Sequence, residues 1–327
     1  MSVHYALAPA KVNLGLFLGP TRAEDGRHEL ATVMQSISLA DELTLEPAPP
    51  GSVGDEIICP GVSGAPEENL AAEALRVFRA STGWRAGPLR LSIRKRIPVA
   101  AGLGGGSADA AAALRLAAHA SGLGDRQLLL RLGAELGADV PAQISPGRWL
   151  ATGAGEKLQE LPDPISPFGL LLLPVAAGLS TATVYAEADR LGLARTRHAL
   201  EERRRELLSA LERGAPLAAA IELLHNDLQR AAVSLRPEIL DAFRQARGAG
   251  AELALVSGSG PTVVGLFAYP KRDGREGGPG RDGGGAELAR LAAASLDGRS
   301  PAPLSATPVD AAFARAVTLE KTTPYGE

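Results

Sequence analysis

Residues 98–113, PVAAGLGGGSADAAAA, set a proline, four glycines within five positions (102, 104, 105 and 106) and an alanine run in that order. Glycine takes positive φ without a Cβ penalty and lets backbone amides come close to a ligand. A helix beginning near Ser107 aims its free N–H groups and positive dipole end into the same space. Upstream, Leu89, Leu91, Ile93 and Ile97 lie at odd positions among polar residues, which predicts a half-buried strand over 88–97 ending at Pro98. The segment therefore reads strand, glycine loop, helix: a trap for an anion, with a nucleotide polyphosphate as the best fit. So many glycines cost folding entropy, which argues against a merely structural turn.

The rest of the chain arranges itself around this loop. Gly122 stops the loop helix at about 121, and Asp125 caps a second helix carrying Leu128, Leu129, Leu132 and Leu136 that closes at Gly137. Leu70, Ala74, Val77 and Phe78 follow helical spacing up to Gly83, and 36–47 reads as strand. Prolines 162, 164 and 167 mark a boundary, so two domains are expected, 1–162 and 163–327. In the second, a short buried strand over 169–175 precedes helices over about 181–213 and 215–233. Strands 252–257 and 262–268 then flank the turn GSGP, and a helix over 286–296 and a strand near 309–319 finish the chain. Residues 271–285, KRDGREGGPGRDGGG, cannot bury apolar surface and read as a disordered insertion. Both halves are α+β.

A net charge of −3 in 327 residues, with no basic stripe, argues against nucleic acid or an anionic membrane as partner. Arg203, Arg204 and Arg205 fall in a polar helix with a solvated face. Cys59 is the single cysteine, which favours a reducing compartment. The start, MSVHYALAPAKVN, carries no signal pattern, and no apolar stretch approaches the ~18 residues of a membrane span. A soluble, cytoplasmic protein is expected, either monomeric or weakly dimeric.

Two familiar phosphate loops do not fit. No lysine follows the glycines as a Walker loop requires, and Ser107 stands where a dinucleotide fingerprint needs its third glycine. Two further segments give the loop a context: APAKVNLGL at 8–16 and LVSGSGPTVVGLF at 255–267. This order of three motifs resembles the GHMP kinase superfamily. EDGRHELATVMQSISLADEL at 24–43 and GADVP at 137–141 make the chain similar to the 4-diphosphocytidyl-2-C-methyl-D-erythritol kinases of the non-mevalonate isoprenoid pathway. The resemblance covers about 6–268 and resumes near 307–319. It implies a two-domain α+β fold: a mixed α/β part carrying the glycine loop and a ferredoxin-like C-terminal part.

Roles follow from the resemblance, position by position. Pro98, Gly102, Leu103, Gly104, Gly105, Gly106 and Ser107 would wrap the phosphates of ATP, accompanied by Mg²⁺, while Asn69 and Lys95 would line the adenine pocket. Asp139 matches the base that takes the acceptor hydroxyl's proton, and Lys11 its companion, steadying the transferring group. Asn13, His28 and Thr181 match the side holding the cytidine diphosphate substrate, where neutral His28 could offer one donor and one acceptor. Arg27 stands where the family has a tyrosine that stacks on cytosine; a guanidinium plane can stack too, opposite Tyr185. No metal-ligand set is evident. Taken singly, Asp139 reads as a loop carboxylate, Lys11 as an exposed strand lysine, Asn69 as a first-turn residue and Lys95 as a strand-edge lysine. A kinase of the same superfamily with another small acceptor, a nucleotide-binding regulator and a dehydrogenase are the alternatives. The DG-x-H segment with Thr181 and Tyr185 speaks against the first, and the pair Lys11 and Asp139 against the second.

Overall fold

Strands β1 (Val3–Thr21) and β2 (His28–Pro47) run antiparallel along most of their length and form the spine of the first sheet. The computed structural model describes residues 2–62, 65, 68–163, 168–176, 178–211, 220–268 and 284–319. The register of β1 on β2 slips between Pro9 and Lys11 and again between Asn13 and Gly15. Such irregularities bend a strand and re-aim its side chains. Here they bracket Lys11 and Asn13, which share one face because they are two residues apart.

So long a strand serves two neighbours. The second half of β2 pairs with β4 (Leu89–Arg94), which is joined in parallel by β3 (Glu56–Ile58); its first half pairs with β5 (Arg148–Gly153), which carries β6 (Lys157–Leu161). At the opposite edge β1 accepts β11 (Val317–Leu319), so a late segment of the chain completes the first sheet. Thr318 Oγ1 lies there between His119 Nε2 (3.0 Å) and His4 Nδ1 (3.3 Å). The second sheet is antiparallel, in the order β10 (Leu304–Ala306), β7 (Gly169–Leu173), β9 (Val263–Phe267), β8 (Leu253–Val256).

Helices α1 (Leu70–Thr82), α2 (Gly105–Ser121), α3 (Arg126–Leu136) and α4 (Val140–Ile144) pack on the first sheet. The alanine run explains the place of α2. Ala108, Ala110–Ala113 and Ala117 are buried nearly all round, and their small side chains admit the helix between the sheet and its neighbours. Asn69 and Asp125 cap α1 and α3 with their side chains, while Gly83 and Gly122 end α1 and α2 in left-handed conformation.

Several expectations need correction. The loop helix begins at Gly105 rather than near Ser107, because left-handed Gly104 (φ 71°) turns the chain and Gly105, packed against Ile97 and Lys95, starts the helical turn. The two long helices expected between 181 and 233 are shorter pieces: α5 (Thr181–Arg190), α6 (Arg197–Leu211), a 3₁₀ turn over Ile221–Leu223 and α7 (Gln229–Leu235). Gly192, at φ 63°, breaks the first, and Asn226 caps the chain entering the last through the Leu228 amide. Residues 212–219 lie outside the described ones. Strand β7 stops at Leu173, since Pro174 cannot continue it. The final strand shrinks to β11, behind a 3₁₀ turn capped by Asp310, and β10 and α8 (Ile239–Gly248) were not foreseen. Of the low-complexity segment, 271–283 lie outside the described residues, and Gly284 and Gly285 open α9 (Gly284–Ser295). Pro164 and Pro167 are likewise outside them.

Candidate active site

Each arm of the glycine loop is fixed by a different partner. The Lys11 amide donates to the Leu103 carbonyl (3.0 Å), tying the loop to β1. Gly102, at φ 75°, lies against the turn between β8 and β9: a Cβ there would stand 2.6 Å from the Ser257 carbonyl oxygen and 2.7 Å from that of Gly260. On Gly104 it would meet Lys11 Cγ at 2.9 Å, whereas on Gly106 it would meet nothing. Gly102 and Gly104 thus let the loop settle on the protein, and Gly106 leaves room for a ligand.

Two cavities flank the start of α2. The smaller, about 420 Å³, is lined by all nine residues expected on the nucleotide side, with Cys59, Glu68 and Asp109. Asn69 lines it while its side-chain oxygen accepts the Ala71 amide (2.9 Å), as the first-turn reading expects. Lys95 is not a strand-edge lysine in solvent: β4 ends at Arg94, and the Lys95 ammonium lies against Asp41 and Asp109. Burial raises the Cys59 thiol above its usual range.

The larger cavity, about 710 Å³, is lined by Lys11, Asn13, Arg27, His28, Asp139, Thr181 and Tyr185. Ser107 lines both cavities. Lys11 and Asp139 stand close to that junction. Lys11 Nζ donates to Asn13 Oδ1 (2.7 Å) and lies 3.2 Å from Asp139 Oδ2; the lysine side chain is 9 % exposed and the aspartate 36 %. Asp139 sits at the N-cap of α4, where an aspartate ordinarily spends its carboxylate on backbone amides. It makes no such bond, so the carboxylate is available to Lys11 and the cavity. Asn13 Nδ2 donates to Thr32 Oγ1 (2.8 Å), which donates to the Gly15 carbonyl (2.6 Å), and this chain sets the amide's orientation.

On the far wall, Tyr185 and His28 rings stand 5.6 Å apart at 41°. Burial, with the Asp139 carboxylate nearby and Arg27 opposing, pushes the Tyr185 hydroxyl up to about 12, so it remains a donor. Arg27 Nη2 donates to the Ala154 carbonyl (2.7 Å), and Thr181 Oγ1 is 3.1 Å from Ser259 Oγ. His28 departs from the expected donor-plus-acceptor role. Its Nδ1 lies 2.9 Å from the Gly19 carbonyl and its Nε2 2.9 Å from Asp189 Oδ1, so both nitrogens face acceptors within the protein.

Residues 69–147 match the family described as GHMP kinases N terminal domain, and 197–276 that described as GHMP kinases C terminal. A 4-diphosphocytidyl-2-C-methyl-D-erythritol kinase from Streptomyces coelicolor is 43 % identical over 263 residues, covering 78 % of this chain and 85 % of the relative. The chain belongs to the 4-diphosphocytidyl-2-C-methyl-D-erythritol kinase family. The crystal structure of a 4-(cytidine 5'-diphospho)-2C-methyl-D-erythritol kinase is 33 % identical, with a TM-score of 0.69 over 93 % of this chain and 98 % of that one. A homoserine kinase from Cytophaga hutchinsonii shares the fold at 15 % identity, with a TM-score of 0.69 over 97 % of each chain.

Membership in this kinase family makes the chain an ATP-dependent kinase, and several further side chains hold the site residues in place. Asn226 donates from Nδ2 to the carbonyls of Val256 and Gly258 (both 2.7 Å) and so braces the third motif from outside it. Asp189 faces His28, Ser259 faces Thr181, and Asp41 and Asp109 hold Lys95. Asp109 carried a signal of its own, a carboxylate among the alanines of α2, and Asp41 and Ser259 fall inside the segments 24–43 and 255–267; Asn226 and Asp189 carried none.

Proposed function

We propose that this kinase transfers the γ-phosphoryl group of ATP to the 2-hydroxyl of 4-diphosphocytidyl-2-C-methyl-D-erythritol, in the non-mevalonate route to isoprenoid precursors in the cytoplasm. The observation that carries the reading is the Lys11–Asp139 pair beside the junction of two cavities, one walled by backbone amides and one by side chains able to hold a base. Phosphoryl transfer needs alignment and charge neutralisation more than covalent work by the protein.

In this reading the loop amides and the N-terminus of α2 receive the phosphates of ATP. The open face at Gly106 is the observation that suits a polyphosphate. Among the described residues no group of three or more His, Cys, Asp or Glu could hold a metal by itself. Mg²⁺ ordinarily keeps several waters and binds through one or two carboxylates together with substrate phosphates. When bound, Mg²⁺ offsets charge on the phosphates. Asp139 takes the proton of the acceptor hydroxyl, and Lys11, oriented by Asn13, pairs with it and faces the group in transit. Cytosine lies between Tyr185 and the guanidinium of Arg27, which its bond to Ala154 keeps in place. We assign residues 1–162 to ATP binding and 163–327 to the C-terminal part, which supplies Thr181 and Tyr185 to the acceptor side.

Purified protein with ATP, Mg²⁺ and the cytidylyl substrate should release ADP in step with phosphorylated product. No ADP with this acceptor, together with turnover of homoserine or mevalonate, would replace the assignment by that of another small-molecule kinase.

A further inference from the structure

Three charged side chains under the glycine loop take no part in the transfer just described. Asp41, on β2, is fully buried; its Oδ1 accepts the amides of Arg96 (2.5 Å) and Ile97 (2.8 Å), and its Oδ2 meets Lys95 Nζ. The same ammonium reaches Asp109 Oδ2 at 2.7 Å, fourteen residues along the chain and on the far side of the loop. Asp109 is 3 % exposed, and its Oδ1 has no hydrogen-bond partner. A Cβ on Gly105 would lie 3.3 Å from Lys95 Nζ, so the ammonium lies directly beneath the first helical glycine.

Burying this set is costly, and an unsatisfied carboxylate oxygen adds to the cost. A group meant to attract phosphate would carry surplus positive charge; this one sets two carboxyl groups against one ammonium. Its geometry does something else. Lys95 precedes the loop, Asp109 follows it, and Asp41 takes the two amides where the chain leaves β4. The loop therefore closes between two points held by one cation. We infer that Asp41, Lys95 and Asp109 form a buried clasp joining the two arms of the nucleotide loop, with Asp41 and Asp109 as positioning residues for ATP. This rests on the assignment of the loop to ATP. Asp41 does not line the cavity, so its effect on nucleotide must pass through Lys95 and residues 96–97.

The decisive variant is Asp41→Asn in the full chain. It keeps an acceptor for the two amides but turns an amide group, in place of a carboxylate, toward Lys95. ATP binding is measured by calorimetry without acceptor, and steady-state kinetics are then measured with both substrates. The expected result is a tenfold or greater rise in Kd and KM for ATP, with kcat at saturating ATP and KM for the acceptor within threefold of the parent. Lys95→Arg should recover part of the affinity lost in Lys95→Met. The clasp is refuted if ATP affinity stays within twofold in Asp41→Asn, or if kcat and both KM values move together with the melting temperature. Should Asp41→Asn fail to fold, Asp41→Ser keeps a hydroxyl as acceptor for the two amides and removes the carboxylate that meets Lys95. Weak ATP binding by that folded protein supports the clasp, and parental affinity overturns it. Parental protein that binds ATP yet phosphorylates no cytidylyl acceptor would overturn the acceptor assignment while leaving the ATP comparison intact.

Discussion

One substitution made at two glycines of the loop should have opposite consequences. In Gly102→Ala the new side chain is forced into left-handed backbone at φ 75°, and its methyl group is driven to 2.6 and 2.7 Å from two carbonyl oxygens of the β8–β9 turn. The backbone penalty is about 1–2 kcal/mol. Relief of the overlap requires backbone to move, at a further ~1–3 kcal/mol. Together these give roughly 2–5 kcal/mol, and at ~2 °C per kcal/mol for a chain of this size the midpoint should fall by about 4–10 °C. Gly106 lies inside α2 with nothing within 4 Å of its would-be Cβ. There alanine should gain up to ~1 kcal/mol of helix propensity, so the midpoint should hold or rise slightly. Its methyl, however, stands in the wall assigned to phosphate, and KM for ATP should rise by about tenfold. Scanning calorimetry without ligand, followed by ATP titration, separates the two effects. A Gly102→Ala protein that melts with the parent, or a Gly106→Ala protein destabilised as much as it, would sink the division of the loop into a packed arm and an open arm.

Three further outcomes follow from the site. Asp139→Asn should lower kcat by about 10²–10⁴-fold, the usual span for a positioned acid–base group, with ATP affinity by calorimetry within twofold; normal turnover would place the base elsewhere. Arg27→Ala should raise KM for the cytidylyl substrate by roughly two- to thirtyfold, from ~0.5–2 kcal/mol of cation–π stacking, while KM for ATP stays put; steady-state kinetics decide, and an unchanged acceptor KM would remove Arg27 from the base pocket. Burial, reinforced by the nearby Asp41 and opposed by Lys95, raises the Asp109 carboxyl to about 7, above its unfolded value. A raised acid holds its proton more tightly when folded, so its stabilising contribution is full below about pH 4 and is lost as pH climbs through about 7. The midpoint of the parent should therefore fall relative to Asp109→Asn between pH 5 and 8, and parallel curves would contradict that account.

The sequence exposes what local chemistry decides. The Asn69 and Asp125 caps, the Gly83 and Gly122 stops and the Pro98 exit of β4 are each written within a few neighbouring residues, and α1, α3 and the strand–loop–helix unit were legible for that reason. The contents of the two cavities were legible because the motifs fall at particular stations along a known fold. Contacts between distant residues were not. Lys95 reads as a strand-edge lysine until Asp41, 54 residues away, comes to meet it. His28 reads as a free pair of hydrogen-bonding atoms until Gly19 and Asp189 take both nitrogens. Helix lengths after residue 181 failed because α5 to α7 are cut by the Gly192 break and the Asn226 cap, whose side chain serves the distant third motif.

The pairing of β11 with Val3–Tyr5 of β1 bears on how the molecule is made. At a synthesis rate of ~5–20 residues per second, β1 leaves the ribosome on the order of 15–60 s before its outer neighbour exists. Throughout that interval an edge of β1 presents unpaired amides and carbonyls, the kind of edge that recruits strands from other chains. The nascent kinase thus carries this exposed edge while its glycine loop and helices are being made, until β11 emerges and covers Val3–Tyr5.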